Sequence, residues 1–371
     1  MSAYFGEDIK KLGFGLMRLP KRGLGCDIEQ FKKMTDMFLE AGFTYFDTAY
    51  VYLGSEAAAK KALVDRHPRD SYTLCSKLNA FMAPTEKAAK EQFYTSLKRT
   101  GAEYFDFYLL HAIMETNYSR YDKFGIWDFV AEQKKKGLVK HYGFSFHAGP
   151  ELLDTLLTQH PEVDFIQLQL NYADWENRFI TSRQNYEVAR KHKKPIVVME
   201  PVKGGTLANP PKEVKKLFEG YAPEASYASW AIRFAASLEG IITVLSGMSN
   251  IAQMQDNISY MKDFKPLNDD EQKLIRQAQV ILGKSAAIPC TACHYCTAGC
   301  PKKISIPEIF SAMNKRISNG RLEDASADYL EAVKNGSRAC DCVQCRQCEK
   351  ACPQHIRISD TLKSCSEIFD K

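Results

Sequence analysis

The run FDFYLLH at residues 105–111 is followed by an amphipathic segment and then by a second run, HYGFSF, at 141–146. The segment 128–136 between them ends in three lysines and is followed by Gly137, which is the pattern of a helix C-terminus. A strand, a helix and a second strand in this order are typical of a parallel βαβ unit. This stretch therefore predicts an α/β fold.

The same alternation extends through the first 280 residues. Helix-length segments separate six further apolar, β-branched or aromatic runs, which are GFGLMRL (13–19), FTYFD (43–47), YTLCSK (72–77), FIQLQLNY (165–172), PIVVMEP (195–201) and GIITVLSG (240–247). Eight β/α units in about 250 residues predict a closed (β/α)8 TIM barrel. An open doubly wound sheet is the alternative, but no G-x-G-x-x-G turn follows an early strand.

Four ionisable side chains follow or end consecutive predicted strands. Asp47 ends the second strand and Tyr52 follows it, Lys77 ends the third strand, and His111 ends the fourth. In barrels of this kind the chemistry gathers at the carboxyl ends of the strands. Each residue alone is more often a cap, a core residue or a solvated charge. Together, at neighbouring strand ends, they predict a site for proton transfer.

The C-terminal part of the chain contains the pattern C-x2-C-x2-C-x3-C-P twice. Its cysteines are Cys290, Cys293, Cys296 and Cys300, and then Cys342, Cys345, Cys348 and Cys352. The tails CPKKISI at 300–306 and CPQHIRI at 352–358 share C-P-x-x-I-x-I, as an internal duplication would leave. The spacing predicts two [4Fe-4S] clusters. Paired structural zinc sites are the alternative, although zinc needs neither the third C-x2 step nor the C-P end.

The two runs resemble those of bacterial two-cluster ferredoxins, in which the fourth cysteine of each run ligates the other cluster. The resemblance implies one ligand set of Cys290, Cys293, Cys296 and Cys352, and another of Cys342, Cys345, Cys348 and Cys300. About forty residues separate the runs, including a helix-like stretch at 307–317, so we expect a small, mostly helical two-cluster domain at 281–371. Cys340 could compete as a ligand, but only Cys342 keeps the spacing.

The first 280 residues resemble the aldo-keto reductases. The segment FDTAYVYLGSE at 46–56 is similar to that family's D-T-A-x-x-Y-G region, with one residue inserted before Gly54. SK at 76–77 and LLH at 109–111 match the other two active-site strands. The resemblance implies a barrel domain at 1–280 with a catalytic tetrad of Asp47, Tyr52, Lys77 and His111. The whole chain resembles the subgroup of that family that is fused to a C-terminal 4Fe-4S dicluster domain.

The chemistry of carbonyl reduction agrees with these four residues. Hydride addition to a carbonyl leaves a developing alkoxide, which must be protonated and stabilised as it forms. Tyr52 would supply the proton, and the neighbouring Lys77 cation would favour the phenolate that results. Asp47 would hold Lys77 charged and in place. His111 would donate a hydrogen bond to the substrate oxygen.

The resemblance also implies a nicotinamide pocket. Its expected contacts are Gly15, Met17, Asp47, Ser145, Gln167, Met199, Val202, Ser246, Gly247, Met248, Gln253, Asp256 and Asn257. Three positions depart from the family pattern: Phe146 replaces an asparagine, Met199 an aromatic, and Gln253 an arginine. The stretch SGMSNIAQMQDN at 246–257 resembles the family's adenosine-phosphate loop and helix start, where anions are favoured. We expect NADP(H) in preference to NAD(H).

Composition excludes several other classes of protein. The chain has 371 residues, is 45% hydrophobic and carries a formal net charge of +5. Its basic runs at 134–136 and 191–194 fall at predicted helix ends, so we expect no nucleic-acid partner. No stretch approaches the length of a membrane span, and the four cysteines outside the runs show no disulfide-like spacing. We therefore expect a cytoplasmic protein with no membrane association.

Three hypotheses for the whole chain follow. In the first, the protein is an NAD(P)H-dependent reductase of a small aldehyde or ketone, and the clusters hold or gate the C-terminal domain. In the second, the clusters exchange electrons with a ferredoxin-like partner. A flavin is a candidate mediator there, because a hydride carries two electrons and a cluster accepts one. In the third, the barrel is idle and the clusters sense redox state, which the intact tetrad disfavours.

Overall fold

The computed structural model describes residues 4–5, 9–23, 25–284, 287–319 and 321–370. Within them the chain forms two compact units, Met1–Val202 with Ala228–Gln272, and Lys203–Tyr227 with Lys273–Lys371. We call the first the barrel unit and the second the cysteine unit. The domain boundary between residues 280 and 281 stays a prediction.

Eight parallel strands of the barrel unit close into a barrel in which neighbours in the chain are neighbours in the sheet. They are β1 (Leu12–Gly15), β2 (Tyr45–Asp47), β3 (Thr73–Leu78), β4 (Phe105–Ile113), β5 (Val139–Phe146), β6 (Phe165–Gln169), β7 (Ile196–Met199) and β8 (Ile241–Ser246). Each of the eight runs identified in the sequence overlaps one of these strands. The predicted (β/α)8 barrel is confirmed, and the open doubly wound sheet is wrong.

Helices and short turns connect the strands. The helices up to residue 282 are α1 (Ile28–Glu40), α2 (Ser55–Ala59), α3 (Glu86–Thr100), α4 (Tyr118–Lys123), α5 (Ile126–Lys135), α6 (Pro150–Gln159), α7 (Ser182–Lys191), α8 (Lys212–Glu219), α9 (Tyr227–Ser237), α10 (Ile251–Met261) and α11 (Asp269–Leu282). A hairpin of Lys21–Arg22 and Gly25–Cys26 follows β1. Helix α5 overlaps the predicted helix at 128–136, and Gly137 follows it with a φ of 75°. Among the described helices, none is both long and apolar enough to cross a membrane.

The strands divide the core of the barrel unit because successive side chains of a strand point to opposite faces. Along β4, Phe107 and Leu109 belong to a cluster with Tyr45 and Phe165 from neighbouring strands. Tyr108 and Leu110, on the alternate face, pack in the larger cluster that includes residues of the surrounding helices. This two-layer packing fixes which side chains can reach the carboxyl ends of the strands.

The cysteine unit is mostly helical beyond residue 300. Its helices there are α12 (Ile306–Asn319), α13 (Leu322–Val333), α14 (Gln347–Lys350) and α15 (Ile358–Phe369). Ile309, Phe310 and Leu362 pack in its core beside four buried cysteines, and Tyr329 stacks on Phe369 with ring centroids 4.7 Å apart. The core is small, and cysteines form a large part of it.

Candidate functional site

The four candidate proton-transfer residues lie at or just after the carboxyl ends of three adjacent strands. Asp47 is the last residue of β2, Lys77 is the penultimate residue of β3, and His111 lies near the end of β4. Lys77 is fully buried, and Asp47 and His111 are 3% and 2% exposed. Tyr52, in the loop after β2, is partly exposed.

Lys77 connects the other members of this group. Its ammonium donates hydrogen bonds to the Asp47 carboxylate and, at 2.6 Å, to the carbonyl oxygen of Thr48. Its Nζ lies 5.2 Å from the centroid of the Tyr52 ring. A buried cation is costly unless it is paired and hydrogen-bonded, and both conditions are met here. The barrel therefore holds a fixed positive charge beside Tyr52.

His111 also lies beside Tyr52. The two rings meet edge to face with their centroids 5.6 Å apart. Burial, the Lys77 cation and His147 together hold the pKa of His111 well below its usual value. The Tyr121 hydroxyl donates a hydrogen bond to the carbonyl oxygen of His111 and so anchors the end of the strand. His111 is consequently a neutral imidazole at neutral pH.

Four of the expected nicotinamide contacts lie within or at the carboxyl ends of four successive strands. Ser145 is in β5, Gln167 in β6, Met199 ends β7 and Ser246 ends β8. The Ser145 hydroxyl accepts a hydrogen bond of 2.7 Å from the amide of Ala112. Gln167 Nε2 donates to the second oxygen of Asp47, at 3.3 Å. Gln167 thus links this row of strand ends to the proton-transfer group.

The segment after β8 contains the expected adenosine contacts. Asn250 caps α10 by accepting a hydrogen bond from the amide of Gln253, and the Gln253 side chain accepts one from the amide of Ser249. Ser246 Oγ and Asn257 Oδ1 are 2.6 Å apart. The remaining expected contacts lie nearby or in the core: Gly15 and Met17 at the end of β1, partly exposed Val202 and Asp256, exposed Gly247, and Met248, which is buried in the hydrophobic core.

Three residues near these strand ends were not predicted from the sequence. Thr48 binds Lys77 only through its backbone, which no side-chain pattern reveals. Tyr121 acts through its hydroxyl on the carbonyl oxygen of His111, and no motif marks it in the sequence. Arg18 pairs with Glu200 at 3.6 Å, and its carbonyl oxygen accepts a hydrogen bond from Ser249 at 2.8 Å. A cation three residues after the end of β1 was the available signal for Arg18.

The eight cysteines of the two runs form two groups, each drawn from both runs. The first cysteine site consists of Cys290, Cys293, Cys296 and Cys352, which line one partly open cavity. The second cysteine site consists of Cys300, Cys342, Cys345 and Cys348, which line another. These are the two crossed sets that the ferredoxin resemblance implies. Four thiols around a cavity fit the donor set of a [4Fe-4S] cluster. Cys340 is in neither group.

The duplication seen in the sequence is repeated in the backbone. Six non-glycine residues at equivalent positions of the two runs have left-handed φ values: Ala292 (50°), His294 (62°) and Lys303 (53°), and Gln344 (55°), Arg346 (56°) and His355 (50°). Residues other than glycine adopt this conformation rarely, at a cost of roughly 1–3 kcal/mol each. Both runs therefore follow the same strained course around their cavities.

Burial affects the protonation of the candidate ligands. It raises the pKa of the Cys296 and Cys352 thiols, and raises the pKa of Cys348 to about 11. Because metals bind the thiolate, iron binding at these sites would release protons.

The sequence matches two known families. The profile of the aldo/keto reductase family matches residues 11–280, and that of a 4Fe-4S dicluster domain matches residues 261–357. An aldo-keto reductase from Mycolicibacterium smegmatis is 27% identical over 167 residues, which is 44% of this chain and 56% of that protein. The chain thus spans little more than half the length of this curated relative.

Solved structures share the barrel. The holo form of an aldo-keto reductase from Bacillus halodurans is 25% identical, with a TM-score of 0.60, over 73% of this chain and 92% of that one. An aldo/keto reductase from Klebsiella pneumoniae in complex with NADP and acetate covers the same shares at 18% identity, with a TM-score of 0.59. The dicluster match favours iron–sulfur over the zinc alternative. From its fold and from the family match over residues 11–280, this chain belongs to the aldo/keto reductase family and carries a C-terminal 4Fe-4S dicluster domain.

Proposed function

We propose that the chain is an NAD(P)H-dependent reductase that converts an aldehyde or ketone to an alcohol. The observation that carries the proposal is the buried Lys77 ammonium, which is paired with Asp47 and held 5.2 Å from the Tyr52 ring. Of these three residues, Tyr52 alone is partly exposed, so it is the group that a substrate can reach.

Each of the four barrel residues has a separate role in the protonation of the substrate oxygen. A bound nicotinamide would supply the hydride to the carbonyl carbon. The Tyr52 hydroxyl donates a proton to the oxygen as negative charge develops there. Lys77 stabilises the resulting phenolate, and Asp47 keeps Lys77 charged in a buried position. His111 is neutral, so it orients the oxygen by donating a hydrogen bond and adds no second positive charge.

We propose NADP(H) as the preferred nicotinamide. The expected adenosine segment, Ser246–Asn257, begins a capped helix whose N-terminal amides and dipole favour an anion, and Arg18 lies beside it. The neighbour from Klebsiella pneumoniae was solved in complex with NADP. Gln253 at the position of the family's usual arginine weakens the preference, so NAD(H) is expected to bind with moderately lower affinity.

A second function rests on the cysteine unit. The eight cysteines fit two [4Fe-4S] clusters in the crossed arrangement of electron-transfer ferredoxins. Such clusters, when bound, supply sites for storing and passing single electrons. Two complete four-cysteine sites are more than a structural role needs, so we propose that the unit exchanges electrons with a partner protein. A flavin stays a candidate mediator between one-electron transfer and hydride chemistry.

The Tyr52→Phe variant tests the reductase proposal. We expect kcat for a probe such as 4-nitrobenzaldehyde to fall by about 10²–10⁴-fold, because general acid catalysis contributes this much. Tyr50→Phe is the matched control, since Tyr50 lies in the same segment but its ring faces Arg99 at 4.5 Å. NADPH binding should be retained in both variants, as measured by fluorescence titration. Turnover by Tyr52→Phe within a few-fold of the unmodified chain would refute the mechanism.

A further inference from the structure

The two cysteine sites differ in how far they reach the surface. At the first cysteine site two cysteines are buried and two are partly exposed, and none is fully exposed. At the second cysteine site Cys345 is exposed. The neighbouring Val343, which lines the same cavity, is 56% exposed. The second site is therefore the one of the two that presents a fully exposed ligand to a partner protein.

The charges around the second cysteine site have one dominant sign. Lys302 and Arg346 line its cavity and both are exposed, and none of the described residues that line it is acidic. Lys303, next in the chain, is also exposed. Within the part of the chain that the structure describes, these three cations form no ion pair. The lining of the first cysteine site, by contrast, contains no lysine or arginine.

The acidic side chains near the second run are already engaged. Asp341 accepts a hydrogen bond of 2.8 Å from the amide of Arg338, and Glu349 accepts one of 2.9 Å from the amide of Ser359. They cap local turns of the backbone. The exposed apolar Val343 shares its cavity lining with Lys302 and Arg346, for which the described residues provide no ion-pair partner. An apolar centre with a charged rim is the pattern of a small interface.

We infer that the surface formed by Lys302, Lys303, Val343, Cys345 and Arg346 is the docking site for an acidic one-electron carrier protein. The inference rests on the proposed electron-exchange function, and it specifies the class of partner and the surface to which that partner binds. One electron passes from the reduced carrier to the group held by the second cysteine site, and the carrier is oxidised by one electron. Contacts of this type are small and weak, and charge complementarity supplies much of their association rate.

The test uses the full chain with reconstituted clusters and an acidic two-cluster ferredoxin as the probe. Binding of the oxidised ferredoxin is measured by calorimetry at low and high salt, so that this readout needs no turnover. Stopped-flow absorbance then gives the second-order rate of reduction by the reduced ferredoxin. The variants are Lys302→Glu and Lys302→Glu/Arg346→Glu. Arg321→Glu makes the same charge change as Lys302→Glu, elsewhere in the unit. Iron analysis confirms that each variant holds its clusters.

We expect the double variant to weaken binding and slow reduction by about 10-fold or more at low salt, with Lys302→Glu intermediate and Arg321→Glu close to the unmodified chain. Reduction by dithionite should be unchanged. Equal binding by all variants, or an equal loss with Arg321→Glu, overturns the assignment of the surface. Tighter binding of a DNA duplex or anionic vesicles at the same residues overturns the assignment of the partner. Clusters that no donor reduces would refute the electron-exchange function itself, while carbonyl reduction would stand or fall with Tyr52→Phe.

Discussion

The proton-transfer group of the barrel and the two cysteine sites reach their geometry in different ways. In the barrel, Asp47, Lys77 and His111 are buried on adjacent strands, and Lys77 already has its hydrogen-bond partners. In the cysteine unit, the ligand runs and the residues just after them include six left-handed non-glycine residues, and the thiols line two cavities. The fold of the barrel organises the proton-transfer group by itself. The two cysteine sites depend on what binds there, because a strained backbone persists only when other interactions hold it.

Cysteine substitutions should give the largest effect, because each cluster is held or lost as a whole. We expect Cys296→Ala or Cys345→Ala to lower the iron content from about eight to about four atoms per chain. The crossed arrangement predicts that Cys300→Ala/Cys345→Ala still holds about four, because both residues serve one cluster. Cys300→Ala/Cys296→Ala should hold almost none. Iron and sulfide analysis measures these contents.

Two controls sharpen this comparison. Cys340→Ala should keep about eight iron atoms, because Cys340 lies outside both sites. NADPH binding should survive in every cysteine variant, since the barrel site is built without the clusters. If Cys300→Ala/Cys296→Ala instead kept four iron atoms and Cys300→Ala/Cys345→Ala lost all of them, each run would bind its own cluster and the crossed assignment would be wrong.

Sequence patterns predicted the barrel well because each strand has a strong local signal. The runs FDFYLLH and GIITVLSG are apolar, β-branched or aromatic, and they coincide with β4 and β8. The segment Lys203–Tyr227 was not separable in the sequence, where it reads as a connection between β7 and α9. In the structure it belongs to the cysteine unit. Packing over such a long sequence separation leaves no local pattern.

The candidate sites show the same limit. The strand-end positions of Asp47, Lys77 and His111 follow from the alternation of strands and helices. The Thr48 carbonyl that binds Lys77 does not, because any residue type supplies a carbonyl oxygen. Cysteine spacing implied the two ligand groups, but the exposure of Cys345 depends on the packing of the whole unit.

In the barrel, Lys77→Met should cost about 3–5 kcal/mol of stability, because it leaves the buried Asp47 carboxylate without its cation. Adding Asp47→Asn should recover much of this loss, because it removes the unpaired charge. Thermal unfolding followed by near-UV circular dichroism measures both effects. The iron content should not change. A single and a double variant of equal stability would contradict the view that the pair compensates a buried charge.

A smaller effect is expected at two adjacent glycines in the cysteine unit. A Cβ on Gly204 would lie 2.6 Å from Thr291 Cα, between the first two cysteines of the first run. No atom of the described residues lies within 4 Å of a Cβ on Gly205. Both residues have positive φ, so both alanine variants carry backbone strain. Gly204→Ala adds a clash of about 1–3 kcal/mol, and should release iron to a chelator faster than Gly205→Ala. Equal release rates would show that this contact does not hold the first cysteine site.

The finest test concerns the protonation of His111. Its native pKa lies well below the ordinary value of about 6.5. As the pH falls below about 6.5, the unfolded chain therefore binds a proton that the folded barrel does not, and stability decreases. One such group contributes a slope of at most about 1.4 kcal/mol per pH unit. His111→Asn should lose stability at pH 8 through altered packing, but its further loss between pH 6.5 and 5 should be smaller than that of the unmodified chain.

The stability difference at pH 8 provides the internal control, because His111 is neutral there in both the folded and the unfolded chain. Only a change in that stability difference with pH reports the lowered pKa of the buried His111 imidazole. If His111 could take up a proton in the folded barrel, its pKa would be the same in the folded and unfolded chains. The stability curves of the unmodified chain and of His111→Asn would then stay parallel from pH 8 to 5. Curves that converge on acidification would show that the packing of the barrel keeps His111 buried and neutral.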